Sequence, residues 1–208
     1  MFDSKEQALE AKKRVRMALD QVPSSRGYYE LAMAELYLEE TAEAIRHLER
    51  AVKIDPENKM AWVNLGGAFM LAGDLDKALE AVEQATKTDP DFVPAFLNLG
   101  LIHLLRKEWE AAIDAYEKAL SLNMIAPEAH ENLAIAYLKT GDLDKAIEEG
   151  LKASGQRPEF GLAYTTLCDA YARKGERATA ESLCEMAEEL GYAVPDEVRE
   201  RIWRREEA

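Results

Sequence analysis

The chain repeats itself every 34 residues, and this period restricts the possible folds more than any other feature of the sequence. Blocks that begin at Ser25, Lys59, Val93, Pro127 and Gly161 align from end to end without an insertion. Fixed repeats of this length are typical of stacked architectures, in which each unit buries its apolar face against its neighbours. The sequence therefore predicts five copies of one structural unit.

Several columns of the block keep one kind of side chain in all five copies. The seventh residue is always leucine, and the twentieth and twenty-seventh are always alanine. The fourth residue carries a ring and the eighth is small, as in Trp62 and Gly66. We interpret this as a packing code, in which small residues let two helices approach closely and large side chains fill the space beside that contact.

Each block is predicted to form two helices. Apolar residues recur at spacings of three and four over two stretches of about 13 residues. A glycine able to adopt left-handed dihedral angles, followed by an acidic residue, separates the two stretches at Gly73, Gly141 and Gly175. Glu39 and Lys107 stand at this position in blocks one and three, at an expected cost of about 1 kcal/mol if the backbone is the same.

Over residues 25–194 the chain resembles the tetratricopeptide repeat family. The shared pattern is an aromatic residue, Leu-Gly, alanines at columns 20 and 27, and a late proline. Departures are local: His103 and Glu35 replace an aromatic residue, and Gly150 leaves one column without a side chain. The resemblance implies an all-α fold, a right-handed α-solenoid of five 34-residue helix-turn-helix repeats. The implied repeats are 25–58, 59–92, 93–126, 127–160 and 161–194.

Both ends are expected to form capping helices, over residues 1–24 and 195–208, because a solenoid needs polar terminal units. Pro195 opens the C-terminal helix, whose apolar stripe is Val194, Val198 and Ile202. At the other end, Asp3 and Glu6 suggest a capping box. The predicted apolar face of this N-terminal helix consists of Ala8, Ala11, Val15, Ala18 and Val22. As an alternative, residues 3–22 dock on another copy of the chain.

In the family that the chain resembles, columns 2, 5, 6, 9, 12 and 13 of each first helix form a concave groove. Column 6 contains Asn64, Asn98 and Asn132, whose amides both donate and accept and could grip a bound peptide backbone. The alternative is that these asparagines only solvate their helices. The other predicted peptide-binding residues are apolar, and contiguous apolar patches are usually binding sites. They are Tyr29, Met33, Val63, Leu97, Leu101 and Leu105.

Charge argues against two classes of partner. The formal net charge of −14 should repel a nucleic-acid backbone or an anionic membrane. The opening residues lack the apolar core of a signal peptide, and no apolar run of about 18 residues occurs. We therefore expect no nucleic-acid partner, no membrane insertion and a cytoplasmic location.

Catalytic chemistry has no recognisable motif here: there is no glycine-rich phosphate loop, nucleophile elbow or zinc-hydrolase pattern. His47, His103 and His130 fall in packing columns, and Cys168 and Cys184 are interpreted as buried, inert thiols. We predict no catalytic residue, no metal site, no cofactor and no enzymatic activity.

The sequence favours an adaptor or scaffold that holds an amphipathic helix or an extended segment of another protein in the groove. The subclass that clamps a chaperone's C-terminal carboxylate is disfavoured, because Tyr29, Met33 and Pro94 stand where cations are required. Two alternatives remain. The chain is a self-assembling scaffold that places residues 3–22 of one copy in the groove of the next, or it is an assembly chaperone or regulatory subunit of a protein complex.

Overall fold

The computed structural model describes residues 2–123 and 125–203, which form twelve α-helices and contain no strand. The predicted all-helical fold is therefore confirmed. The helices are α1 (Lys5–Gln21), α2 (Ser25–Tyr37), α3 (Thr41–Ile54), α4 (Lys59–Leu71), α5 (Leu75–Thr88), α6 (Val93–Leu105), α7 (Trp109–Leu122), α8 (Pro127–Thr140), α9 (Leu143–Gln156), α10 (Gly161–Lys174), α11 (Arg177–Glu189) and α12 (Asp196–Trp203).

The helices form two compact units, which divide between Ile102 and His103, inside α6. In the first unit α1 packs on α2, α2 pairs with α3, α3 contacts α4, and α4 pairs with α5. In the second unit α7, α8, α9, α10 and α11 each pack on the next helix, and α12 packs on α10 and α11. Each predicted block begins with a helix that starts at the first residue of the block; these helices are α2, α4, α6, α8 and α10. The division of the chain into five repeat domains stays a prediction.

The predicted packing code is visible where α4 crosses α5. A Cβ atom at Gly66 would lie 2.3 Å from Val82 Cγ2 and 3.1 Å from the carbonyl oxygen of Ala78. Phe69 is buried and Trp62 is half-buried against the same core. Small residues at the crossing therefore set the distance between the two helices, and the rings fill the space around it.

The turns between paired helices have the predicted backbone. Gly73 has φ +80°, and Glu39 and Lys107 adopt the same left-handed conformation, with φ 64° and 62°. These two residues thus adopt the left-handed conformation to which the expected cost in folding free energy applies. Asp74 and Asp142 cap the following helices by accepting from the backbone N–H of Lys77 and Lys145.

The N-terminal helix is displaced by one residue from its predicted cap. Ser4 is the N-cap and accepts from the N–H of Gln7, so the proposed Asp3–Glu6 capping box is wrong. Val22 lies beyond the helix, because the proline that follows favours extended backbone at that position. Its side chain is 70% exposed. The buried residues are Ala8, Val15 and Leu19.

This helix packs on its own chain. Val15 and Leu19 form a cluster with Leu31 and Tyr28 of α2. Lys12 binds Glu40 and lies 3.5 Å from the fully buried carboxylate of Glu35. Apolar and ionic contacts together place α1 at the cap position of the first unit.

The C-terminal helix covers the other end of the chain, as far as Trp203; residues 204–208 of the predicted cap lie outside the described part. Val194, Val198 and Ile202 are buried against Tyr164, Cys168 and Ala172, as the predicted stripe requires. No helix within residues 2–123 or 125–203 is long and apolar enough to cross a membrane.

One prediction about the cysteines is wrong. Cys168 of α10 and Cys184 of α11 are joined by a disulfide bond across 16 residues, so they are not free thiols. Their spacing gave no sign of this, because the pair is brought together only by the packing of two helices. Both residues are buried in the core of the last repeat.

Candidate functional site

The groove face is the side of the first helices that carries columns 2, 5, 6, 9, 12 and 13. In the first unit it is formed by α2, α4 and α6 up to Ile102. Tyr29, Met33, Leu97 and Leu101 are half-buried there, so part of each side chain is open to a ligand. Val63 belongs to the hydrophobic core and is only 8% exposed, which leaves little of it for binding.

In the first unit, the most exposed apolar side chains of this face are ones that the predicted site left out. Leu71 is 73% exposed, and Met60 and Tyr37 are also exposed. They occupy columns 2 and 13, so the repeat alignment places them on the groove face. The alignment does not say which columns face solvent, because that depends on how closely neighbouring helices approach.

The asparagines of column 6 make hydrogen bonds within the chain. Asn64 donates from Nδ2 to the carbonyl of Met60 at 2.8 Å. Asn98 donates from Nδ2 to the carbonyl of Val63 at 3.3 Å. Burial raises the pKa of the Tyr29 hydroxyl, and a hydrogen bond with Asn64 opposes that increase. Since an amide has two N–H donors and an acceptor oxygen, these bonds use only part of its capacity.

Three contacts follow one rule: a groove-face residue bonds to the first helix of the preceding repeat, 35 residues earlier. In the first unit the pair is Asn98 with Val63, and the amide of Asn64 lies near the hydroxyl of Tyr29, also 35 residues earlier. In the second unit Thr166 donates to Glu131 at 2.6 Å, and Arg173 donates to the carbonyl of Leu138 at 3.2 Å. The groove face therefore also fixes the register between neighbouring first helices.

Two predicted site residues lie in the second unit. Leu105, at the end of α6, is half-exposed, and Asn132 of α8 is half-buried. Burial raises the pKa of the Tyr116 hydroxyl, and the nearby amide of Asn132 opposes that increase. Their participation in one groove with the residues of the first unit stays a prediction.

A profile described as tetratricopeptide repeat matches residues 29–91, 72–124 and 108–159, which together span more than half of the chain. The chain belongs to the tetratricopeptide repeat family. This confirms the resemblance drawn from the repeat columns.

Solved structures agree with this assignment. One crystal structure of MamA is 30% identical to this tetratricopeptide repeat protein, with a TM-score of 0.72 over 77% of this chain and 94% of the other. A second MamA structure is 27% identical, with a TM-score of 0.73 over 88% and 97%. YrrB, described as a TPR protein with an unusual peptide-binding site, is 19% identical and has a TM-score of 0.74 over 86% and 93%, which shows a shared fold alone. No curated protein sequence matches the chain.

In this tetratricopeptide repeat protein the groove face of the second unit is charged. Asp169 is buried and accepts two hydrogen bonds from Arg173, at 3.0 and 2.9 Å, and another from Arg201 of α12. Glu131 is 1% exposed, and burial raises its pKa to about 7 against the opposing hydrogen bond from Thr166. Both of these acids are therefore buried and bonded within the chain.

Each histidine pairs with a glutamate. His47 bonds to Glu35 at 2.6 Å, and His130 bonds to Glu149 at the same distance. His103 bonds to Glu108 at 2.7 Å. Across residues 2–123 and 125–203, no group of three or more His, Cys, Asp or Glu side chains is arranged to hold a metal ion.

Proposed function

We propose that this protein is a non-catalytic adaptor or scaffold that binds a helical or extended segment of another protein on its groove face. The observation that carries this proposal is the strip of accessible apolar side chains on α2, α4 and the first-unit part of α6, where Leu71, Met60 and Tyr37 are the most exposed. An apolar surface of this kind is usually covered by a partner. Asn64 and Asn98 lie on the same face and would bond to its backbone.

Membership of the tetratricopeptide repeat family supports a role in protein–protein interaction. Solvated apolar side chains beside amides suit a segment with an apolar stripe and a backbone that can still form hydrogen bonds. We therefore expect the groove face to select its partner by the spacing of apolar residues. Amide bonds to the backbone add affinity without sequence preference.

The test is affinity capture from the native host with the tagged chain, followed by mass spectrometry. Asn98→Ala combined with Leu101→Asp should abolish capture of the main copurifying protein. Leu151→Asp is the matched control, because Leu151 is half-exposed on α9, a second helix outside the groove face. Capture that survives the double substitution would rule out the groove face as the binding surface.

Self-assembly through residues 3–22 stays an alternative prediction with a specific requirement. Val15 and Leu19 already pack on α2, so docking of this apolar face on another copy requires α1 to leave its own chain. If removal of residues 1–24 leaves the oligomeric state measured by sedimentation unchanged at tens of micromolar, self-assembly through this helix is excluded.

The cytoplasmic location also stays a proposal, and one observation opposes it. Disulfides persist mainly in oxidising compartments, and the Cys168–Cys184 bond is therefore unexpected in the cytoplasm. Lysis of native cells directly into denaturant with an alkylating reagent distinguishes the two: a pair that is alkylated at once supports the cytoplasm, and a pair that reacts only after a reductant is added contradicts it.

A further inference from the structure

Helix α2 is the first helix of the first block. It carries the same groove-face columns that contact the preceding first helix in later blocks. On α6, column 6 bonds to the preceding first helix through Asn98, and on α4 Asn64 of the same column lies near Tyr29 of α2. On α2 the same column holds Glu30. The element described before α2 is α1, and it contacts a different face, through Tyr28 and Leu31 of columns 4 and 7. The place of a preceding first helix beside α2 is thus left open.

A cleft of about 720 Å³ marks that place. Tyr29, Met33 and Tyr37 of α2 form one wall, and Ala11 and Val15 of α1 form the other. Phe2 closes one end, with its ring 5.6 Å from that of Tyr37 in an edge-to-face arrangement. An apolar cleft between two helices is the shape into which the side chains of a third helix pack.

Arg14 and Arg26 both line the cleft, and Arg14 gives it a positive edge. Arg26 donates to Glu30 at 2.7 Å, so this pair is close to neutral. Arg14 also lines the cleft, and no carboxylate among the described residues lies within ion-pair distance of it. In a chain with a net charge of −14, this edge is an exception to the acidic surface. A carboxylate on a ligand would be repelled elsewhere and attracted here.

We propose that the cleft between α1 and α2 binds an acidic amphipathic helix of another protein, in the place of a preceding first helix. Its apolar stripe packs on Met33 and Tyr37, and a carboxylate bonds to Arg14. This inference rests on the proposed function and specifies the partner class, since Tyr29 and Met33 belong to the same groove face. Unlike the proposed function, it makes α1 a wall of the binding site as well as a cap.

The probe is a fluorescent helix-forming peptide of about fifteen residues, long enough for a helix to persist on binding. It contains leucine at spacings of three and four, with glutamate and alanine at the other positions. Fluorescence anisotropy with the full chain should give saturable binding. Arg14→Glu should weaken that binding at least about tenfold, because it replaces an attraction by a repulsion. The absence of binding to the unaltered chain would overturn the proposal.

The matched control is Lys13→Glu, which makes the same charge change one residue away on the exposed side of α1. It should leave binding within about twofold, since Lys13 does not line the cleft. A peptide with lysine in place of glutamate should bind Arg14→Glu better than it binds the unaltered chain. Equal losses from Lys13→Glu and Arg14→Glu would show a general charge effect and overturn the proposal.

A second comparison separates this inference from the proposed function. Leu101→Asp alters the groove face at α6 and should leave the probe bound. If Leu101→Asp removes binding and Arg14→Glu does not, the groove face binds the helix and the cleft does not. Sedimentation of the unaltered chain covers the remaining occupant: a dimer that Arg14→Glu dissociates would mean that a second copy fills the cleft, against the proposal.

Discussion

The side-chain amide of Asn98 donates to the main-chain carbonyl of Val63 in the preceding first helix, at 3.3 Å. A helix carbonyl already accepts from its own helix, and its second lone pair is available to this amide. The bond therefore links α6 to α4 without disturbing either helix. It also gives Asn98 a structural role beside its proposed role in binding.

Asn98→Asp should destabilise the fold more than Asn98→Ala does. Alanine removes one hydrogen bond, at a cost of about 1 kcal/mol. Aspartate at pH 7 places a negative oxygen against a carbonyl oxygen, which adds repulsion to that loss. Urea unfolding measures both values. Below about pH 3.5 the introduced carboxyl is protonated and can donate to the carbonyl of Val63, so Asn98→Asp should there be at least as stable as Asn98→Ala; a deficit of Asn98→Asp that persists in acid would contradict this explanation.

Gly66 and Gly67 are neighbours in α4, and their replacement by alanine should have opposite effects. A Cβ at Gly66 would lie 2.3 Å from Val82 Cγ2 and close to the backbone of α5, so Gly66→Ala should cost about 1–3 kcal/mol. A Cβ at Gly67 would meet nothing within 4 Å. Gly67→Ala should therefore stabilise the helix by up to about 1 kcal/mol. Thermal unfolding of the two variants compares them directly, and a stabilised Gly66→Ala protein would refute the packing code.

Repetition explains why so much of the fold was predictable. Each column is sampled five times, so the helix pairs, the close contact at Gly66 and the left-handed residues Glu39 and Lys107 could all be inferred from aligned residues. The N-terminal helix is outside the repeat and has one copy. There the cap was misplaced by one residue, and buried Leu19 was missed in favour of exposed Val22.

The site was less predictable, because exposure and bonding depend on the distance between helices. The alignment put Val63, Asn98 and Leu71 on one face, but packing buries the first, bonds the second within the chain and leaves the third open. The cleft at α1 needed the structure as well, since it arises from where α1 packs and not from any motif.

Reduction of the Cys168–Cys184 disulfide should lower the free energy of unfolding. A bond across 16 residues restricts the unfolded chain by about 3 kcal/mol on the loop-entropy account. Chemical unfolding with and without a thiol reductant should show this loss, and Cys168→Ser combined with Cys184→Ser should behave like the reduced protein and no longer respond to reductant. An unchanged midpoint on reduction of the unaltered protein would contradict a stabilising role for the bond.

Glu131→Gln should stabilise the protein at pH 8 and have little effect near pH 4.5. Burial raises the pKa of Glu131 to about 7, and Oε2 of the carboxyl is buried without a hydrogen-bond partner among the described residues. The folded state therefore binds a proton that the unfolded state has released between about pH 4.5 and 7, so the contribution of this group to stability falls as pH rises through that range. The loss is complete above about pH 7 and is on the order of 3 kcal/mol. Glutamine keeps an oxygen for Thr166 but carries no charge, and all other groups titrate alike in both proteins. The difference in unfolding free energy between variant and unaltered protein, measured from pH 4.5 to 8, should therefore grow with pH and level off above 7; a difference that is independent of pH would mean that Glu131 is not the titrating group.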